Sequence, residues 1–309
     1  MNFLFLLITT FSGVAMTIPY SIQVGADLDA KEQIIAEQII RETFEEVDSL
    51  YNRWNPDSEL SALNRLKAYE KKTLSPKLAT LLEKTAEIVR VSDTLFDPTI
   101  HPLQQLWKQK LELGQEPTQE ELAAVKPSLG WDKIHLENGV FWKDDSATQM
   151  DLCAIAKGYA VDLLIMRLKD KSFSSLFVEW GGEIKTAGTH PEGRPWRIFI
   201  SCFGQTDPDK ALAILPIIDQ AIATSGTYQQ KWQVKDKSFS HIFNRLKLSP
   251  IRVEKRQIAS ASVVAPDCAL ADALATCCLL FDSPKQALAW AEKIQKENVQ
   301  IRFIMAAEP

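Results

Sequence analysis

The sequence predicts an α+β fold in which mixed or antiparallel sheets are flanked by helices. Three observations lead there. Segments of helical and strand period come in mixed runs instead of strict alternation, which disfavours a doubly wound parallel sheet. Of 309 residues, 46% are hydrophobic and 24% charged, enough to build a core. The middle of the chain also repeats one device, an apolar strand running into glycine, at Phe177–Trp180 before Gly181–Gly182 and at Ala221–Thr224 before Ser225–Gly226.

The elements follow in order. Thr17–Val24 is strand-like. The apolar positions Ala36, Ile39, Ile40, Phe44, Val47 and Leu50 recur at helical spacing and predict a helix over 29–50. Asn55–Asn64 is polar, rich in capping residues, and predicts a turn region. Ser75–Pro76 opens a second helix, with serine as N-cap and proline at the first helical position. Thr118 and Glu121 form a capping-box pattern at the start of a short helix. Strands follow at Phe177–Trp180, Trp196–Ser201, Ala221–Thr224 and Gln257–Val264. Two helices close the chain, over Ala269–Leu280 and from Ser283–Pro284 onward. With no internal repeat, low-complexity tract or linker, residues 15–309 read as one domain, preceded by an apolar leader-like segment over 1–14. That segment begins MNFLFLLIT and has no basic start; a secretory signal, an anchor and a first buried strand all fit it.

Formal net charge is −5, so nucleic-acid binding has no support and an anionic ligand needs local cations, amides or a metal. The five cysteines, Cys153, Cys202, Cys268, Cys277 and Cys278, are odd in number and lack metal-ligand spacing. Most are expected to act as small buried hydrophobes, not as a disulfide framework or zinc site.

Four segments can carry chemistry. In Phe96-Asp97-Pro98-Thr99 the carboxylate precedes proline and so sits on extended backbone, able to accept from a ligand N–H or from its own loop. Asp151-Leu-Cys-Ala-Ile-Ala-Lys157-Gly158-Tyr-Ala-Val-Asp162 reads as a strand end entering a helix, where amides and Lys157 suit an anion; an exposed helix lysine is the plain alternative. Glu179-Trp-Gly181-Gly182-Glu183-Ile184 allows close backbone approach to a ligand. In Ala271-Asp272-Ala-Leu-Ala-Thr276 the carboxylate and hydroxyl are four apart, hence on one helical face, and offer oxygen only, which suits Mg²⁺ or Ca²⁺ and not zinc.

Taken in order, these segments resemble the successive motifs of the ApbE family of flavin transferases. Met16-Thr-Ile-Pro-Tyr20, Ser58-Glu-Leu-Ser61 with Leu63-Asn64, and His241-Ile-Phe-Asn244 extend the likeness along nearly the whole chain. The resemblance implies a Mg²⁺-dependent enzyme that cleaves FAD and attaches FMN through a phosphoester to a Thr or Ser of an acceptor protein, releasing AMP. A flavin-binding or trafficking protein that hydrolyses FAD to FMN and AMP would use the same residues. The resemblance places flavin contacts on Met16, Trp54, Leu95, Phe96, Asp97, Asp151, Lys157 and His241. It places the metal on the Ala154 carbonyl, Asp272 and Thr276, with Asp272 and His241 catalytic. His241 is the candidate base, a structural histidine near the adenine being the other reading. The acceptor is expected to be a subunit of a respiratory redox pump, and the location extracytoplasmic at a bacterial inner membrane. Thr17, Cys153 and Arg245 stand where the family pattern has Gly, Gly or Ser, and Pro.

Overall fold

The computed structural model describes residues 8–201, 203, 209, 211–228, 231–254 and 257–307; Cys202 and the first seven residues of the leader-like segment lie outside them. The first third of the chain holds β1 (Thr9–Ala15), β2 (Ile18–Val24), α1 (Ala30–Leu50), α2 (Glu59–Asn64), β3 (Lys72–Thr73), α3 (Pro76–Val91) and α4 (His101–Glu112). Then come α5 (Gln119–Val125), β4 (Ile134–Glu137), β5 (Val140–Lys143), α6 (Cys153–Asp170), β6 (Leu176–Trp180), β7 (Glu183–Ala187), β8 (Trp196–Ile200) and β9 (Ala213–Ile217). The last third holds β10 (Ala221–Gly226), β11 (Lys231–Val234), β12 (Lys237–Asn244), β13 (Ser249–Arg252), β14 (Ile258–Ala265), α7 (Cys268–Cys278), α8 (Pro284–Glu297) and β15 (Arg302–Ala307).

The expected α+β architecture is present. Seven strands form one sheet in the order β1-β2-β6-β7-β10-β14-β15, and every pairing in it is antiparallel. Strand alternation gives the sheet two working faces. Ala221, Ala223, Ala261, Val263 and Ala265 point into the main core with α6 and α7, while Ile222 and Val264 join a second cluster with Ile198, Ile200 and Ile217 of the β8–β9 hairpin. Strand β14 is buried along its whole length, as a strand covered on both faces must be. A separate sheet, β11-β12-β13, packs Val234 and Phe239 against Leu103 and Trp107 of α4.

The helices form where their caps demand. Asp29 caps α1 with a reciprocal Glu32 contact, Ser75 caps α3 ahead of Pro76, and Thr118 and Glu121 close the expected capping box on α5. Two expectations change. The polar stretch read as a turn contains the short helix α2, because Ser58 caps it and Leu60 and Leu63 are fully buried. Thr9–Ala15, within the leader-like segment, pairs in register with Ile18–Val24 as the edge hairpin of the large sheet. Among the described residues no helix is long and apolar enough to cross a membrane.

Helices α6 and α7 touch through backbone. A Cβ on Gly158 would lie 2.3 Å from the Cys268 carbonyl oxygen and 2.7 Å from the Ala269 nitrogen, so any larger residue must separate the two helices. The Asp162 carboxylate completes the joint by accepting from Cys268 N and Ala269 N (2.9 and 3.0 Å) and from Lys185 Nζ (2.6 Å).

The β1–β2 turn consists of Met16 and Thr17, since Ala15 pairs with Ile18. Both have positive φ, 46° and 70°, as a two-residue primed turn requires. Threonine is β-branched and disfavoured there. Thr17→Gly should therefore stabilise the fold by about 1 kcal/mol. That is a rise of roughly 2–4 °C in the thermal midpoint, measurable by differential scanning calorimetry; a fall would show that the threonine side chain makes compensating contacts.

Candidate active site

The hairpin β6–β7 turns on Gly181 and Gly182, at φ 67° and 100°, so Glu183 begins β7 opposite Trp180. Alternate residues of β7 then meet α6: Glu183 reaches Lys157, and Lys185 reaches Asp162. Helix α7 lies against the same side of α6 and presents Asp272. The result is a partly buried lysine shared by two buried carboxyl groups. Lys157 Nζ is 2.9 Å from Glu183 Oε1 and 3.2 Å from Asp272 Oδ2, and both carboxylate side chains are only 4% exposed. Gly158 N also donates to Asp272 Oδ2 at 3.4 Å.

Burial alone would lower the Lys157 pKa, but Asp272 and Glu183 outweigh it and hold the ammonium above its ordinary value. Burial pushes Glu183 up to about 8, with Lys157 opposing and Asp272 adding to the rise. Two carboxyl groups share one ammonium, so the cluster is short of positive charge whenever both are ionised, and Glu183 Oε2 has no hydrogen-bond partner. Thr276 lies one turn beyond Asp272 on α7, its hydroxyl 3.0 Å from that of Ser225 at the end of β10. Ala154 departs from helical geometry (φ −89°, ψ 18°) in the first turn of α6, which turns its peptide out of the regular ladder. An all-oxygen donor set with surplus negative charge fits a hard divalent cation.

A second cluster adjoins the start of α6. Asp151 Oδ2 is 2.9 Å from Arg53 Nε, and Oδ1 accepts from Cys153 N at 2.9 Å. Burial would raise the Asp151 pKa, but Arg53 and the Cys153 amide hold it below the ordinary carboxylate value. Asp151 N donates to the Pro98 carbonyl (2.7 Å), which ties this loop to the Phe96–Thr99 loop. Asn64 clamps the preceding residue, accepting from Met150 N at 2.7 Å and donating to Met150 O at 2.9 Å. Trp54 is largely exposed, with the Arg53 guanidinium 3.8 Å from its ring centre.

The expected site residues thus fall into groups. Lys157 and Asp272 come together, with Thr276 next along α7. Asp151, Asp97 and Trp54 gather around Arg53 and the two tied loops. Met16 lies in the β1–β2 turn, whose Ile18 touches the Gly181 position. Phe96 is 5% exposed and packs in the core, with partly buried Leu95 against that core. Asp97 lies on extended backbone (φ −137°, ψ 105°), as its place before proline predicts. Its Oδ1 accepts from Thr99 N and Oγ1, and Arg245 lies 2.5 Å from Oδ2. Burial raises the Asp97 pKa despite Thr99 and Arg245. His241 is half-buried on β12, four residues before Arg245.

Several expectations are corrected. Asp151 follows a loop, not a strand, because β5 already ends at Lys143. Its own carboxylate answers an amide at the start of α6 that the sequence left for a ligand anion. Lys157 is partly buried and paired with two carboxyl groups, not a free helix lysine. Cys268, Cys277 and Cys278 are buried as expected, but Cys153 is exposed. Arg53, Ser225 and Glu183 were not among the expected site residues; Glu183 carried a signal in its place directly after the double glycine, and Ser225 in its place between a strand and Gly226.

The sequence model of the ApbE family matches residues 16–303. The chain belongs to the ApbE family. An FAD:protein FMN transferase of Chlamydia pneumoniae is 41% identical over 287 residues, 92% of this chain and 88% of the relative. One from Vibrio cholerae is 30% identical over 92% of this chain and 84% of its own length. Among solved structures, the flavin transferase ApbE of V. cholerae superposes with a TM-score of 0.80 at 28% identity, covering 98% of this chain and 94% of that one. The apo flavinyl transferase ApbE of Pseudomonas stutzeri gives 0.84 at 25% identity, covering 100% and 96%. A V. cholerae variant with one histidine replaced by glycine has also been solved and superposes equally well.

The charge deficit in this ApbE family member has a consequence for stability. A folded-state pKa near 8 for Glu183 lies above the ordinary glutamate value, so the folded state binds the extra proton. That contribution is complete below about pH 4.5 and is lost as pH rises through 8. In chelator, the thermal midpoint of the wild type relative to Glu183→Gln should fall steadily across that window. A difference that stays flat with pH would contradict the shift.

Proposed function

We propose that this chain is a Mg²⁺-dependent FAD:protein FMN transferase, which joins the FMN half of FAD to a Thr or Ser hydroxyl of an acceptor protein and releases AMP. Family membership and the named relatives support the transferase reading. The single observation that carries the chemistry is the Lys157–Glu183–Asp272 cluster beside Thr276, in which two buried carboxyl groups share one ammonium.

Asp272, Thr276 and the Ala154 carbonyl would hold the cation, which when bound supplies Lewis-acid stabilisation of phosphate oxygens. Lys157 adds a fixed positive charge for the pyrophosphate. Asp151 and Asp97, on loops tied to one another, serve the flavin end, and exposed Trp54 beside Arg53 offers a stacking surface. In the transfer, the acceptor hydroxyl oxygen bonds to the FMN phosphorus, the bond from that phosphorus to the bridging oxygen breaks, and AMP leaves. The hydroxyl proton goes to a base, for which His241 is the candidate. Its strand is held next to the flavin loop through Arg245 and Asp97. An acceptor in a respiratory redox pump and a location at the outer face of a bacterial inner membrane complete the proposal; the apolar start of the sequence supports the latter.

Incubation with FAD, Mg²⁺ and Thr- or Ser-containing acceptor peptides should release AMP and add the mass of one FMN to a peptide. Asp272→Ala and excess EDTA should each abolish AMP release; undiminished release in EDTA would contradict the metal role. AMP release with no mass gain on any peptide would favour hydrolysis over transfer.

Replacing His241 separates its two readings. As base, His241→Gln should cut the single-turnover rate by about 10²–10⁴-fold with FAD affinity little changed, because a base acts in the transition state. Weaker FAD binding with a near-normal saturated rate would assign it to the adenine half instead.

A further inference from the structure

Glu183 has no assigned part in the chemistry, yet it is built into the site with care. Its side chain is 96% buried by the 4% exposure that remains, one oxygen holds Lys157 at 2.9 Å, and the other has no hydrogen-bond partner. Oε2 lies 3.4 Å from where a Gly181 Cβ would sit, and the Lys157 chain passes 3.8 Å from the same point. Both are ordinary van der Waals spacings, and the side chain that a Cβ there would meet first is Ile18, at 2.8 Å. On the far side of the ammonium is Asp272, the one carboxylate among the expected metal ligands, at 3.2 Å.

Lys157 Nζ lies 3.2 and 3.5 Å from the two Asp272 oxygens, so a divalent cation that takes this carboxylate competes with the ammonium for it. The cost of releasing the lysine depends on what else holds it. We propose that Glu183 is a positioning residue that receives the Lys157 ammonium when a divalent cation takes Asp272, and so sets the metal affinity through Lys157. The inference rests on the metal reading above. In the metal-free protein the ammonium neutralises Asp272. With metal in place it stays within the pocket on Glu183, aimed where the pyrophosphate arrives. Without Glu183 its remaining anion in the pocket is Asp272, and lysine and metal compete for it.

Binding of Mn²⁺ in the absence of FAD tests this by electron paramagnetic resonance on four proteins: wild type, Glu183→Gln, Lys157→Met and the double variant. Glu183→Gln should weaken Mn²⁺ binding about tenfold or more, the loss expected when a charge-assisted contact is removed. Lys157→Met should tighten it, and in that background Glu183→Gln should change it by less than about twofold. An equal loss in both backgrounds would overturn the proposal, because Glu183 would then act on the metal directly. Wild-type binding with no loss in Glu183→Gln would overturn it while leaving the metal reading intact. Failure of the wild type to bind Mn²⁺ would overturn both. Lysine ¹⁵N signals give the same answer without altering Lys157. With Mg²⁺ saturating, one ammonium protected from exchange should persist in the wild type and vanish in Glu183→Gln; persistence in both would count against the proposal.

Discussion

A partly buried ammonium held between two buried carboxyl groups is the interaction on which the rest of this site depends. Lys157 cannot leave water without anions around it, and Glu183 and Asp272 cannot both be buried without a cation between them. Their mutual need fixes β7, α6 and α7 relative to one another. When both carboxyl groups are ionised the arrangement has two negative groups and one positive, and the missing charge is what a divalent ion can supply. Structural necessity and chemical capacity thus come from the same three side chains.

The scaffold around the cluster explains why it holds still. Strand β7 sends two alternate residues to α6, Glu183 to Lys157 and Lys185 to Asp162. Asp162 passes the connection on by capping the first amides of α7. Gly158 lets the two helices meet at backbone distance, which brings Asp272 within reach of Lys157. The Phe96–Thr99 and Asp151 loops are held by contacts between distant parts of the chain. Asn64 grips Met150 through both its amide atoms, and Asp151 N reaches the Pro98 carbonyl. Lys143, almost fully buried, donates to the carbonyls of Asn64, Ser146 and Thr148 and so supports the loop that leads into Asp151.

Much of this was legible in the sequence, and the parts that were not share a cause. The helices α1, α3, α5, α7 and α8 announce themselves through caps and apolar period, both local signals. Helix α4 has no side-chain cap, and its buried residues are only Leu103 and Trp107. Strands β4, β5, β11, β13 and β15 are short or edge elements whose existence depends on partners distant in the chain. The site shows the same division. Asp272 and Thr276 are visible as a pair because helical spacing is local, and Lys157 because its motif is distinctive. The ion pair of Arg53 with Asp151 spans 98 residues and Arg245 with Asp97 spans 148, and no local pattern foretells either. Phe96, a motif residue expected at the flavin, is 5% exposed and packs in the core.

The central claim is that the charge-deficient pocket of Lys157, Glu183 and Asp272 is where the metal resides. Anomalous diffraction from crystals soaked in Mn²⁺ tests it most directly. The account predicts one strong peak bonded to the Asp272 carboxylate and the Thr276 hydroxyl, with the Lys157 ammonium shifted off Asp272. A peak elsewhere at saturating Mn²⁺, with Lys157 still on Asp272, would contradict it.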